Sequence, residues 1–346
     1  MAAMKAARLH VYGQGLVVEE VPEPAIESPF DVIVRVGGAG LCRTDLHILD
    51  GQFEDRLDVE LPYTLGHENA RWVVETGPAV DNVAVGEAVI VHPLATCGFC
   101  RACRAGADMH CERSAFPGLT TDGGFAPLLA TSARSLVKLP PELEPIDVAA
   151  HADAGLAAYH AVKKAIPMLH PGTKAVVFGA GGLGHIAIQC VKALTPAEVV
   201  VVDSSEAALD LARSIGADHA VLADGGEVAA LEELADGAAE VVFDFVGDGD
   251  AVASALAMVR PAGGYFAVGY GGTLEIPIID LIATEVSLIG NLVGTYNELA
   301  ELMALAKQGR VRLSTTTYPL EAVNEAVEDL RAGRLRGRGI LLPTAV

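Results

Sequence analysis

Basic residues are scarce in this chain: 24 Lys and Arg stand against 45 Asp and Glu in 346 residues, a formal net charge of −21. Nucleic acid and anionic bilayers are gripped by clustered Lys and Arg, so neither is expected as a partner. The acidity fits solubility, or a salt-adapted or high-GC source, since 17 of the basic residues are Arg and 7 are Lys. Long apolar runs are missing too. No uninterrupted stretch reaches the ~18 residues of a spanning helix, and the opening MAAMKAARLHVYG has no apolar core of signal-peptide length. Internal repeats and low-complexity tracts are also absent. The expectation is a soluble, cytoplasmic protein. Cysteine is sparse, at six residues, and in a reducing compartment clustered cysteines bind metal more often than they form disulfides.

What is present is apolar material and glycine, 51% hydrophobic residues and 37 Gly, in a chain long enough for two separate cores. The texture changes near residue 150. Before it lie short β-rich runs such as DVIVRVGGAGL, ARWVVET, AVIVHP and SLVKLP, separated by Pro, Gly and Asp, which predict a β-rich domain with many turns. After it, the apolar strands KAVVFG, EVVVVD, DHAVL, VVFDFV, GGYFAVG and EVSLIGN alternate with Ala- and Leu-rich helical stretches. Six strands with helices between them predict a doubly wound parallel sheet, an α/β architecture. A helical run, NELAELMALAKQG, and mixed segments close the chain. The expected divisions are 1–155, 156–294 and 295–346.

Four of the six cysteines crowd into CGFCRACRAGADMHC. Cys97, Cys100, Cys103 and Cys111 follow a C-x2-C-x2-C-x7-C spacing, which lets the thiolates turn inward on one tight loop. Four thiolates around Zn²⁺ leave no open position, so this site is expected to be structural. An iron–sulfur run has a different last gap and a Pro where Glu112 stands. Chemistry is then expected elsewhere. Cys42 in GLCRTDLH, with Arg43, Thr44, Asp45 and His47 beside it, and His67 with Glu68 in TLGHENA, sit in turn-like segments flanking β-rich runs.

A third signal is KAVVFGAGGLGHIAIQCVKAL. An apolar strand enters Gly179-x-Gly181-Gly182-Leu183-Gly184 and a periodic helix follows. This pattern permits a tight turn, close approach of backbone to a pyrophosphate, and helix–strand packing. Asp203 ends the next strand, where a carboxylate accepts bonds from ribose hydroxyls and repels a 2′-phosphate. NAD is therefore expected over NADP.

Together these motifs, with the late GRGI, resemble the zinc-dependent medium-chain alcohol dehydrogenases nearly end to end, and most closely the bacterial and archaeal ones. The resemblance implies a GroES-like catalytic domain carrying two zinc ions per chain, one catalytic and one structural, and a Rossmann domain binding NAD. It implies catalytic-zinc ligands at Cys42 and His67, with the third at Asp153, where the family often has Cys, or at the exchangeable carboxylate Glu68. It places Thr44 on the substrate oxygen, Asp45 behind the ligand His, His47 at the outer end of a proton relay, and Arg43 and Arg338 on the pyrophosphate. Gly179, Gly181, Gly182, Leu183, Gly184, Asp203, Val268 and Leu292 complete the expected coenzyme contacts. Ala157 stands where a Thr commonly packs on the nicotinamide. Coordination to zinc lowers the alcohol's pKa, and hydride passes to the coenzyme. The implied substrates are primary or secondary alcohols and their carbonyls, with polyols or sugar alcohols as the alternative. Phe53, Trp72, Leu119, Leu292 and Val293 are candidate substrate-lining residues. The apolar strand EVSLIGNLVG is expected at a sheet edge, and so a homo-oligomer, a tetramer ahead of a dimer.

Overall fold

The computed structural model describes residues 2–56, 59–235 and 237–343. Two compact units divide the chain. The first comprises Met1–Ala154, Gly294–Gln308 and Leu313–Val346, and the second Gly155–Val293 with Gly309–Arg312.

The first unit opens with β1 (Ala3–Leu9), β2 (Val17–Pro22), β3 (Asp31–Leu41), β4 (Tyr63–Thr64), β5 (Glu68–Thr76), β6 (Ala88–Val91), β7 (Leu128–Ser132) and β8 (Leu136–Lys138). The second holds β9 (Lys174–Phe178), β10 (Glu198–Asp203), β11 (His219–Leu222), β12 (Ala239–Asp244), β13 (Val259–Ala267) and β14 (Ser287–Gly290). The chain then returns with β15 (Thr315–Pro319) and β16 (Arg338–Leu342) to the first.

In the first unit β2-β1-β4 form a small antiparallel sheet, and β15-β16-β3-β5-β6-β8 a larger one in which β7 also pairs with β3. The long β3 organises this sheet. Its Asp31–Arg35 half pairs with β7, its Ala39–Leu41 end pairs with β16, and β5 lines up along most of its length, with Gly40 opposite Glu68. Val32, Val34, Val73, Val89, Val91 and Leu136 pack into one core cluster, and Val36, Ala39, Leu41, Leu46, Leu65 and Phe125 belong to another. Glu68 at the start of β5 and Cys42 just past β3 are thereby fixed to one end of a rigid sheet.

The second unit is a six-stranded, wholly parallel sheet in the order β11-β10-β9-β12-β13-β14. Val199 to Val202 in β10 and Ala175 to Val177 in β9 are all fully buried, as expected of strands covered on both faces, and this explains their unbroken apolar sequence. Truncating one such large side chain, Phe243 for example, would cost ~3–5 kcal/mol. Strand order reverses between β9 and β12, and in such sheets ligands bind in the crevice at the carboxyl ends of the strands flanking the reversal. EVSLIGN is β14, at one edge of the sheet, as the sequence predicts.

Candidate active site

Cys42 follows the last residue of β3 and caps the helix Arg43–Leu49. Its backbone N–H donates to Asp45 Oδ2 at 2.8 Å, a helix-start bond that fixes Asp45 in a fully buried position. The other oxygen of Asp45 faces His67 Nδ1 at 3.4 Å. On the far side of the ring, His67 Nε2 faces Asp153 Oδ2 at 3.5 Å. Cys42, His67, Glu68 and Asp153 each offer a ligand atom, all within 4.8 Å of one another. Thr44 Oγ1 lies 3.7 Å from the Cys42 sulfur.

This cluster fits a cation. Burial disfavours a charge on the His67 ring, yet the Asp45 carboxylate, with Asp153 and the Cys42 thiol, holds its pKa well above the ordinary imidazole value. Both ring nitrogens and Asp153 Oδ1 are buried without a hydrogen-bond partner among the described residues. A thiol, an imidazole and a carboxylate gathered around one point are a zinc donor set, and a carboxylate behind the imidazole orients the ring.

Glu68 is held differently. Its Oε1 accepts the Ala154 backbone N–H at 3.1 Å and its Oε2 pairs with the Arg338 guanidinium. Burial pushes the Glu68 carboxyl upward and Arg338 opposes this, while the same contact raises the Arg338 pKa against burial. Arg338, expected on the pyrophosphate, here lies against a carboxylate, a contact that sequence reasoning did not name. It also missed Gly40. A Cβ there would collide with the Glu68 carboxylate, so the glycine of GAG is a condition for this arrangement.

Around the cluster, Phe116 stands edge-on to His67 with ring centroids 5.9 Å apart, and Phe53 edge-on to His47 at 6.5 Å. His47 Nδ1 lies 2.6 Å from Gln52 Oε1. That oxygen only accepts, so Nδ1 carries the hydrogen and Nε2 is the basic nitrogen. Phe53 and Leu119 pack on the core cluster beside the site. Trp72 has Arg35 over its ring at 5.6 Å, and its ring lies so close to Gly37 that a Cβ there would strike it. Phe116 and Gln52 carry no sequence signal, because only the folded loops bring them to the histidines.

The four cysteines of the lobe converge as a second cluster, with ligand atoms again within 4.8 Å of one another. Cys100 and Cys103 sulfurs are 3.5 Å apart. Backbone N–H groups of Phe99 and Cys100 point at the Cys97 sulfur, and those of Cys97 and Arg113 at the Cys111 sulfur. The amides of Phe99 and Cys100 pull the Cys97 thiol down to about 6, whereas burial and the neighbouring thiols push Cys103 up to about 12. Four thiols gathered this closely could share one dication. The lobe also grips the returning chain, since Asp108 Oδ2 accepts the Tyr296 backbone N–H at 3.0 Å.

In the second unit the glycine loop leads from β9 into the helix Gly184–Leu194. Gly179 has φ +91, and a Cβ on Gly184 would strike the Gly179 carbonyl, whereas a Cβ on Gly181 meets only open space. A tight turn, close helix packing and an open backbone suit a pyrophosphate. Asp203 ends β10 and binds this loop itself, Oδ2 accepting from Ala180 N at 2.7 Å and Oδ1 from Ser205 N at 2.8 Å. Val268 is half-buried past the end of β13, and Leu292, beyond β14, is exposed.

Comparison with known proteins agrees with this geometry. Residues 28–141 match the alcohol dehydrogenase GroES-like domain family and residues 182–308 the zinc-binding dehydrogenase family. The solved alcohol dehydrogenase of the hyperthermophilic archaeon Aeropyrum pernix superposes with a TM-score of 0.95 at 46% identity, over 98% of this chain and 100% of that one. An NAD-dependent alcohol dehydrogenase of Sulfurisphaera tokodaii is 34% identical, over 98% of this chain and 100% of its own. A D-arabinose 1-dehydrogenase (NADP(+)) of Saccharolobus solfataricus is also 34% identical, over 99% of both. The chain belongs to the zinc-type medium-chain alcohol dehydrogenases and is an oxidoreductase. No helix among the described residues is long and apolar enough to cross a membrane.

Proposed function

We propose that the protein interconverts primary or secondary alcohols with their aldehydes or ketones, using NAD and a catalytic zinc held by Cys42, His67 and Asp153. The observation that carries this reading is the convergence of those three side chains beside the Thr44 hydroxyl. Bound there, Zn²⁺ supplies Lewis acidity to the alcohol or carbonyl oxygen. NAD supplies the hydride acceptor.

The chain's own groups do the rest. Asp45 keeps the His67 ring oriented, and the Arg338 pairing holds Glu68 as a reserve carboxylate at the metal rather than a permanent ligand. Thr44 takes the proton from the substrate hydroxyl, and His47 stores it at Nε2, with Gln52 fixing the tautomer. Phe116 and Phe53 give the neighbourhood an apolar character, which favours hydrophobic alcohols. The D-arabinose dehydrogenase relative supports a second reading, a sugar or polyol substrate.

Asp203 supports NAD over NADP. The single arginine of the following helix, Arg213, is engaged by Asp210 at 2.7 Å and Glu206 at 3.8 Å, which leaves it poorly placed to offset a 2′-phosphate. A structural zinc in the cysteine lobe brings the count to two per chain. Ile278, Ile279 and Ile282, exposed at 66–69%, precede the edge strand β14 and support a homo-oligomer, a tetramer ahead of a dimer. The deciding experiment is an activity screen with NAD and NADP over primary and secondary alcohols, polyols and aldoses. Turnover confined to aldoses or polyols would replace the first reading by the second.

A further inference from the structure

Asp244 takes no part in the chemistry above, yet it is fully buried at the carboxyl end of β12, the strand across the reversal from β9. A buried carboxylate is costly unless donors surround it. Here Oδ1 accepts from Val246 N at 2.8 Å and Gly247 N at 2.9 Å, and Oδ2 accepts from the Tyr265 hydroxyl at 2.5 Å. The Asp244 carbonyl also accepts from Val268 N at 3.0 Å and Gly269 N at 2.8 Å. One residue therefore ties down the turn after β12 and the turn after β13.

These turns lie backbone against backbone. A Cβ on Gly247 would fall on the Gly269 carbonyl, and one on Gly269 would meet the Phe245 backbone. Gly272 N donates to Gly247 O at 2.8 Å. The Val246 side chain in turn abuts the glycine loop, since a Cβ on Gly179 would lie 2.8 Å from it.

In a sheet of this order the first three strands form one mononucleotide-binding half and the next three the other. Gly179 to Gly184 and Asp203 belong to the first half, and the turns that Asp244 holds close the second. We propose that Asp244, supported by Tyr265, is a positioning residue for the nicotinamide half of the coenzyme site. It sets the two turns that wall that half without touching the coenzyme. Asparagine preserves its size, but an amide offers one accepting oxygen where the carboxylate offers two. Tyr265 then loses its acceptor or the turn amides lose theirs.

The inference rests on the coenzyme reading above, and its test separates the two. Binding of NAD and of ADP-ribose, which lacks the nicotinamide, is measured calorimetrically on the zinc-loaded protein and on Asp244→Asn and Tyr265→Phe. For Asp244→Asn the NAD dissociation constant should rise about tenfold while that of ADP-ribose changes less than about twofold, as one weakened charge-assisted hydrogen bond confined to one half predicts. Tyr265→Phe should shift the same ratio by less. Equal losses for both ligands, or an unchanged ratio in both variants with native circular dichroism, would overturn the proposal. If Asp244→Asn does not fold, the ratio in Tyr265→Phe decides. A parent protein that binds neither ligand would instead refute the coenzyme reading.

Discussion

At the residue scale the metal cluster holds two carboxylates differently, Asp153, which the family resemblance implies as the third ligand, and Glu68, which it implies as an exchangeable one. Asp153 has an oxygen buried without a partner, whereas Glu68 is bound by Arg338 and the Ala154 amide. Asp153→Ala should therefore remove the catalytic zinc and turnover together. Glu68→Ala should keep the metal and lose activity by ~10–100-fold, as for groups acting on a ligand from behind. Metal analysis after dialysis checks this, and zinc lost from Glu68→Ala but retained in Asp153→Ala would exchange the assignments. The relay has its own signature. His47→Gln should slow alcohol oxidation most near neutrality, retain zinc, and recover in part with added imidazole. Thr44→Ala should lose far more and recover with no added base, and an unchanged pH–rate profile in His47→Gln would exclude His47 as the terminal base. Arg71 offers a contrast. It is fully buried, none of its guanidinium nitrogens has a partner among the described residues, and burial holds its pKa well below the ordinary value. Replacing it by Met removes the cost of burying that charge, so chemical denaturation of Arg71→Met should find stability undiminished.

At the element scale the cysteine lobe belongs to the scaffold. Its thiolates face one another, and through Asp108 it holds the start of the helix Tyr296–Lys307. A closed four-thiolate site contributes folding free energy. Cys100→Ser should accordingly lower the melting temperature and remove one of two zinc ions, while the protein that stays folded keeps turning over. Full stability with abolished turnover would reverse the roles of the two metal sites. The elements themselves were legible beforehand. DVIVRVGGAGL is β3 from end to end, and the six apolar runs after residue 150 are the six parallel strands. Local pattern suffices there because strand faces and burial repeat along the chain. Phe116, Gln52 and Gly40 were not legible, since each matters only for what another segment places against it.

At the scale of the whole molecule, one chain carries a metal-binding unit and a dinucleotide-binding unit, the two parts that metal-assisted hydride transfer needs. The proposed preference for NAD rests on the charge of Asp203. Asp203→Asn should reduce the kcat/KM preference for NAD over NADP by about tenfold or more, because a unit charge ~4 Å from a phosphate is worth ~1–4 kcal/mol. A preference that does not move would place the discrimination at another residue. The proposed assembly rests on the edge strand and the exposed isoleucines. Light scattering should find an oligomer, and Ile279→Glu with Ile282→Glu should dissociate it, whereas a monomeric parent protein would rule the interface out.

The sequence by itself determined the parallel coenzyme sheet, the glycine loop and the four-cysteine spacing, because periodicity and short-range spacing are properties of contiguous residues, whereas the dispersed set of Cys42, His67 and Asp153 was reached through the family resemblance alone. Only the tertiary structure decided which carboxylate faces the His67 ring with one oxygen left unpartnered, that Arg338 lies against Glu68, and that Asp244 holds two turns at once. Those facts depend on segments up to 270 residues apart meeting in a buried, low-dielectric interior. There, whether a charge has a partner is set by packing and not by its neighbours in the chain.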